Sequence, residues 1–125
     1  MAIKHKPIIG LSHLRVTLTP DAYMGPGRAD LLEKIAETGS IAAAGKAMGM
    51  SYKRAWGLVQ GLNAGFGQPL VETSRGGSGQ GGATLTIAGR EVLDRYRHMQ
   101  TAAAAAIAED VARLQALIGD MSGKK

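Results

Sequence analysis

The sequence predicts a mainly α-helical protein with a small antiparallel β-sheet. Apolar residues recur with helical spacing in three consecutive segments over residues 26–66. Two short segments typical of strands flank a glycine-rich stretch, and one long helical pattern then covers residues 87–118. The chain has 125 residues, of which 45% are hydrophobic, and this fits one compact domain with one appended element. We therefore expect no separate substrate-binding domain in it.

The segment before the glycine-rich stretch predicts one strand and three helices. Apolar and polar residues alternate over residues 13–19, which is the period of a half-buried strand. The first helix is expected to begin at Pro26, where the missing N–H is not needed, and to end at Gly39. Ser40 and Ser51 are good N-caps for the second and third helices, which a tight glycine-containing turn separates. The third helix carries an apolar stripe of Ala55, Leu58, Val59, Leu62 and Phe66.

The glycine-rich stretch, residues 76–82, is predicted to form the tip of a hairpin between strands at 70–73 and 83–86. A nucleotide-binding P-loop would end in Gly-Lys-Ser or Gly-Lys-Thr and lead into a helix. Here the glycines lead into a strand instead. We interpret the hairpin as a wing that contacts a phosphate backbone, and a merely mobile loop is the alternative.

The helix predicted over residues 87–118 would be about 48 Å long, at roughly 1.5 Å per residue. A small domain cannot cover such a length by itself, so its apolar stripe needs another chain. The pattern therefore predicts a homodimer. The predicted dimerisation residues are Leu93, Tyr96, Ala103, Ile107, Val111 and Leu114.

The second and third helices form a helix-turn-helix pattern over residues 40–66. Tyr52, Lys53 and Arg54 lie in the first turn of the third helix, where a recognition helix presents side chains to base edges. Five basic residues and a single acidic one lie between residues 38 and 90, so charge and motif coincide, although a solvated cationic helix is the alternative. Trp56 is ambiguous, because its position is also typical of a core or rim aromatic. The predicted DNA-binding residues are Ser40, Ser51, Tyr52, Lys53, Arg54, Trp56, Arg75, Ser78 and Gln80.

Other function classes find little support in the composition. The chain has no cysteine, and its three histidines are scattered without metal-ligand spacing, so we expect no metal site, no cofactor and no enzymatic activity. No apolar run approaches the roughly 20 residues of a membrane span, and the N-terminus has no secretory signal pattern. A cytoplasmic protein is expected. The net charge of +5 favours a polyanionic partner.

Several motifs resemble those of a known family. Gly39-Ser40-Ile41, the segment Ser51 to Trp56, Leu70 to Thr73, and the glycine-rich segment Arg75 to Thr86 are similar to the DNA-binding domain of the ModE family of molybdate-responsive regulators, within the LysR-type helix-turn-helix group. The resemblance runs from about Leu14 to Met99. It implies a winged helix-turn-helix homodimer, joined largely through the long C-terminal helices.

The resemblance does not extend to molybdate sensing. Full-length relatives continue into Mop-type β-barrel domains that bind molybdate, and this sequence has no strand-rich segment to match them. We do not expect this chain to sense molybdate, and a separate effector-binding partner protein is left open. The expected organisation is an N-terminal tail at 1–12, a winged helix-turn-helix domain at 13–86, a dimerisation helix at 87–118 and a C-terminal tail at 119–125.

The sequence thus predicts a bacterial transcriptional regulator that binds double-stranded DNA as a homodimer. The alternative from another class is a dimeric interaction or adaptor module that kept the fold and lost the DNA. Steep salt dependence of binding to DNA would separate the two, because an adaptor has no counterions to release.

Overall fold

The structure, a computed structural model, describes residues 8–75 and 81–118. These residues form four strands and four helices. In chain order they are β1 (Val16–Thr19), β2 (Ala22–Met24), α1 (Pro26–Thr38), α2 (Ile41–Ala47), α3 (Tyr52–Phe66), β3 (Val71–Arg75), β4 (Gly81–Leu85) and α4 (Ile87–Ile118). The predicted C-terminal tail and the first seven residues of the predicted N-terminal tail lie outside the described residues.

The helix boundaries follow from capping chemistry, as predicted. α1 begins at Pro26 and ends at Thr38, and the capping residue Gly39 has a φ of 74° and donates its N–H to the Ile35 carbonyl. The Ser40 hydroxyl accepts the N–H of Ala43 at the start of α2. Ser51 does the same for Arg54 at the start of α3. Each serine cap satisfies one of the backbone donors that a helix leaves free at its N-terminus.

The turn between α2 and α3 depends on small side chains. A Cβ on Gly45 would lie 2.9 Å from the Cβ of Ala55, so the two helices approach each other where neither carries bulk. Gly49, in the turn, has a φ of 73°, a conformation that glycine adopts without strain. The sequence therefore fixes a tight crossing of the two helices in the helix-turn-helix unit.

The core is aliphatic and lies between the helices and the β3–β4 hairpin. Its main contributions come from α1, α3 and the N-terminal third of α4, together with Leu70 before β3. The largest fully buried side chains are Tyr96, Leu31, Leu32, Ile35, Leu62, Leu70 and Val59. Because these residues span the chain from α1 to α4, the start of α4 is part of the domain core.

The described residues form two separate two-stranded sheets, where the sequence predicts one. β3 and β4 pair antiparallel from Val71 opposite Leu85 to Arg75 opposite Gly81, which confirms the predicted hairpin, although each strand continues two residues further toward the glycine-rich stretch than predicted. β1 is shorter than the predicted strand at 13–19, and it pairs with β2, which was not predicted. β2 was missed because three residues are too few to display a period of two.

The prediction that Leu93 and Tyr96 belong to an unburied dimerisation stripe is wrong. Leu93 is 2% exposed and Tyr96 1% exposed within the single chain, and the Tyr96 hydroxyl donates to the Leu14 carbonyl. The helical spacing was correct, but burial within the chain divides the stripe into two parts. The first part covers the domain core, and no residue of α4 beyond Tyr96 is buried in the described chain.

An ion-pair network holds α4 against α1. The Arg97 guanidinium donates to Asp30 at 2.8 Å and to Glu33 at 2.7 Å. Partial burial alone would lower the pKa of Arg97, but the hydrogen bonds to these two carboxylates outweigh it and raise that pKa above its usual value. Arg97 therefore stays charged and fixes the direction in which α4 leaves the domain.

Candidate nucleic-acid interface

The third helix presents one face to the core and the opposite face to solvent. Ala55, Val59 and Leu62 are buried. Lys53 and Gly57 lie on the opposite side, given about 100° of rotation per residue, and both are exposed. The outward face at the start of α3 therefore carries a cation followed by a position without a side chain, which lets another molecule approach the helix closely.

A cleft, here called the wing cleft, separates α3 from the β3–β4 hairpin. It is lined by residues from the start of α2, from α3 and from both hairpin strands, and these include Ser40, Tyr52, Trp56, Thr73 and Gly82. A hydrogen bond of 2.8 Å from the Ala83 N–H to the Gly39 carbonyl holds the hairpin beside α2. Three of the predicted DNA-binding residues are thus brought together on one side of α3.

The two aromatic residues of the wing cleft form a stacked pair. The ring centroids of Tyr52 and Trp56 are 6.4 Å apart, with 17° between the ring planes. Tyr52 is 56% exposed and Trp56 is 36% exposed. Trp56 is therefore a rim residue outside the core, and its indole is accessible from the cleft.

A second pocket, here called the arginine pocket, lies on the other side of α3. It is lined by Arg15 from the segment before β1, Tyr23 from β2, Arg28 from α1, and Arg54 and Leu58 from α3. Sequence reasoning placed Arg54 at the interface but missed Arg15, Tyr23 and Arg28. The unrecognised β1–β2 hairpin explains the omission, because it is this hairpin that brings the first two to α3.

Charge is segregated over the surface. All ion pairs among the described residues lie on α1 and α4. None of them includes Lys53, Arg54, Arg15 or Arg28. The cations around the start of α3 are therefore available to an anionic partner, whereas those of α4 are partly neutralised by neighbouring carboxylates.

Three of the predicted contacts, Arg75, Ser78 and Gln80, lie in or directly before the glycine-rich stretch. Ser78 and Gln80 lie outside the described residues. Arg75 is the last residue of β3 and pairs with Gly81 in the backbone register, and a DNA contact by its side chain stays a prediction.

Over residues 8–75 and 81–118, no cluster of three or more metal-ligating side chains occurs, and no helix has the length and hydropathy to cross a membrane.

A family model described as "Bacterial regulatory helix-turn-helix protein, lysR family" matches residues 28–90, which is half of the chain. The chain belongs to this family. The matched range runs from Arg28 in α1 to the first turn of α4 and so includes the helix-turn-helix unit and the wing.

Curated proteins are similar to part of this chain. The molybdenum-pterin-binding protein MopB of Rhodobacter capsulatus is 45% identical over 75 residues, 60% of this chain and 28% of its own length. The DNA-binding transcriptional dual regulator ModE of Escherichia coli K12 is 39% identical over 83 residues, 66% of this chain and 32% of its own length. The chain thus spans about a third of the length of the curated relatives it matches.

A solved structure supports the fold. The DNA-binding domain of CbnR, crystallised in complex with DNA, superposes with a TM-score of 0.53 at 29% identity and covers 72% of this chain and 95% of that domain. The predicted winged helix-turn-helix fold with a long C-terminal helix is confirmed.

Proposed function

We propose that this protein is a sequence-specific, DNA-binding transcriptional regulator that acts as a homodimer in the cytoplasm and has no catalytic activity. The observation that carries the proposal is the start of α3, where Lys53 and Arg54 are exposed and free of ion pairs within the described chain. A recognition helix enters the major groove with this end. The similarity to a DNA-bound CbnR domain and to the E. coli DNA-binding regulator supports the same reading.

Within this proposal, the outward face of α3 reads the bases. Lys53 points directly away from the core stripe, and Gly57, one turn later, leaves room for the groove floor. Lysine is a suitable donor to the O6 and N7 acceptors of guanine. Tyr52 and Trp56, at the edge of the wing cleft, offer apolar surface to a thymine methyl group or a deoxyribose.

The second half of α4 supports the dimer. Ala103, Ile107 and Val111 are half-buried and Leu114 is 62% exposed, so an apolar stripe continues past the last contact with the domain core. A two-fold dimer would bury this stripe and would place two recognition helices on one face of the duplex, about 10 bp apart or a multiple of that.

The proposal is tested by selecting bound sequences from a random duplex pool with the purified full chain and then comparing variants on the selected sequence. Lys53→Ala is expected to weaken binding to the selected duplex by about 10- to 100-fold, with a smaller loss on random DNA. Lys34→Ala, on α1 and paired with Glu37, is the charge-matched control and should retain specificity. Failure to enrich any sequence would overturn the proposal.

A further inference from the structure

The arginine pocket is built around one aromatic ring. The guanidinium carbon of Arg15 lies 3.6 Å from the centroid of Tyr23, and that of Arg28 lies 3.9 Å from it. Cation–π contacts of this kind hold guanidinium groups in a fixed place. Both guanidinium groups are therefore held against the same ring beside the β1–β2 hairpin, with Arg54 of α3 lining the same pocket.

No acidic side chain compensates these charges in the described part of the chain. The pocket lining contains three arginines and no carboxylate. Arg28 has one hydrogen bond, of 3.3 Å, to the Tyr23 carbonyl, and its buried Nε has no acceptor. Holding several guanidinium groups together without an acceptor is unfavourable, and a bound anion would relieve it.

The position of the pocket relative to α3 identifies the anion. Arg54 lies about 200° around the helix from Tyr52, so the arginine pocket and the wing cleft flank α3 on opposite sides. A helix with its side chains nearly fills the major groove, which is about 12 Å wide, and each side of the helix then faces a different phosphate backbone. The wing lies on one side of α3, and the arginine pocket lies on the other side, where the backbone of the second DNA strand would pass.

We propose that the arginine pocket binds a backbone phosphate of the DNA strand opposite the wing, so that α3 is held in the major groove from both sides. This inference rests on the proposed function and adds a second contact region to it. Guanidinium groups bind phosphate oxygens through paired N–H donors. The pocket has a volume of about 200 Å³, which is enough for one phosphodiester group. The sequence position of Arg54 predicts a contact with a base, whereas this proposal assigns its guanidinium group to a phosphate.

The test uses Arg15→Gln and Arg28→Gln in the full chain, with Arg95→Gln as the control. Arg95 is exposed on α4 and pairs with Glu91, so its loss changes the net charge equally without touching the pocket. Binding to the selected duplex and to random duplex is measured by fluorescence anisotropy between 50 and 200 mM salt. Each pocket variant is expected to weaken binding to both duplexes by the same factor and to reduce the log–log salt slope by about 0.9 per protomer, or about 2 for a dimer. Arg95→Gln should leave the slope unchanged.

Other outcomes would overturn the inference without touching the proposed function. If wild-type protein binds DNA with a steep salt slope and Arg15→Gln keeps that slope, the pocket does not bind phosphate. If a pocket variant loses affinity only for the selected duplex, the arginine reads a base. Because Arg28 is partly buried, its variant is also checked by circular dichroism, and the exposed Arg15 keeps the test valid if Arg28→Gln unfolds. Absence of DNA binding by the wild-type protein would contradict the proposed function itself.

Discussion

Replacing Gly89 by alanine is expected to force α4 away from the base of the β3–β4 hairpin. A Cβ at this position would lie 2.0 Å from the Leu70 carbonyl oxygen and 2.9 Å from the carbonyl carbon, whereas ordinary contacts begin at 3.4 Å. The overlapping atoms are backbone, and the same oxygen already accepts the Thr86 N–H at 2.9 Å. No change of side-chain rotamer can therefore relieve the overlap, and the helix must move by more than an ångström.

The expected loss follows from two opposing contributions. Overpacking a well-filled site costs about 1–3 kcal/mol, and the upper end applies here because backbone must move. Alanine returns about 1 kcal/mol through its better helix propensity. The free energy of unfolding should therefore fall by about 2 kcal/mol.

The matched control is Gly57→Ala in α3, where an added Cβ meets nothing within 4 Å. It should raise the free energy of unfolding by up to about 1 kcal/mol. Both variants are compared with wild type by urea unfolding at one protein concentration, because the stability of the proposed dimer would depend on concentration. Equal stability of Gly89→Ala and Gly57→Ala would refute the reasoning.

Three further outcomes are expected. Ile107→Asp should give monomers in analytical ultracentrifugation and lose tight DNA binding. The control Ala104→Asp, at an exposed position of α4, should stay dimeric. A dimeric Ile107→Asp would contradict the proposed interface. Tyr96→Phe should lower the free energy of unfolding by about 1–2 kcal/mol at neutral pH, since the Leu14 carbonyl loses its donor. Burial raises the pKa of the Tyr96 hydroxyl, so the folded state holds this proton more tightly than the unfolded state does. The free energy of unfolding of wild type should therefore fall as the pH rises above 10. Tyr96→Phe has no such proton, so a steeper fall in the variant than in wild type would contradict this account. Arg97→Gln should lower the free energy of unfolding by about 1 kcal/mol, because its partners Asp30 and Glu33 are about half exposed. The loss should be smaller in high salt, which screens the ion pairs. A loss that does not depend on salt would indicate that Arg97 contributes through packing.

The helices were predictable because their signals are local. Ser40 and Ser51 cap their helices within one turn of the chain, and Pro26 takes the first position of α1, as the chemistry of each residue favours. α4 was equally predictable, since a helical pattern of 32 residues has few competing interpretations.

The partners of a face could not be predicted from its period. The spacing of Leu93 and Tyr96 is the same whether they meet the domain core or a second chain, and only the folded domain decides between the two. The arginine pocket depends on even less local information, because Arg15, Arg28 and Arg54 come from three elements that the β1–β2 hairpin brings together. The spacing of these three arginines in the sequence therefore does not predict that they line one pocket.

The central claim is that the start of α3 and its flanking cations bind a specific DNA sequence. The most direct measurement compares the affinity of the full chain for the selected duplex and for random duplex of equal length, across a salt series. Lys53, Arg54 and Arg75 from two protomers predict a log–log slope of about −5 or steeper, with the selected duplex bound at least about 10³-fold more tightly. Equal affinity for both duplexes with a slope near zero would contradict the claim and would favour a winged-helix adaptor that does not bind DNA.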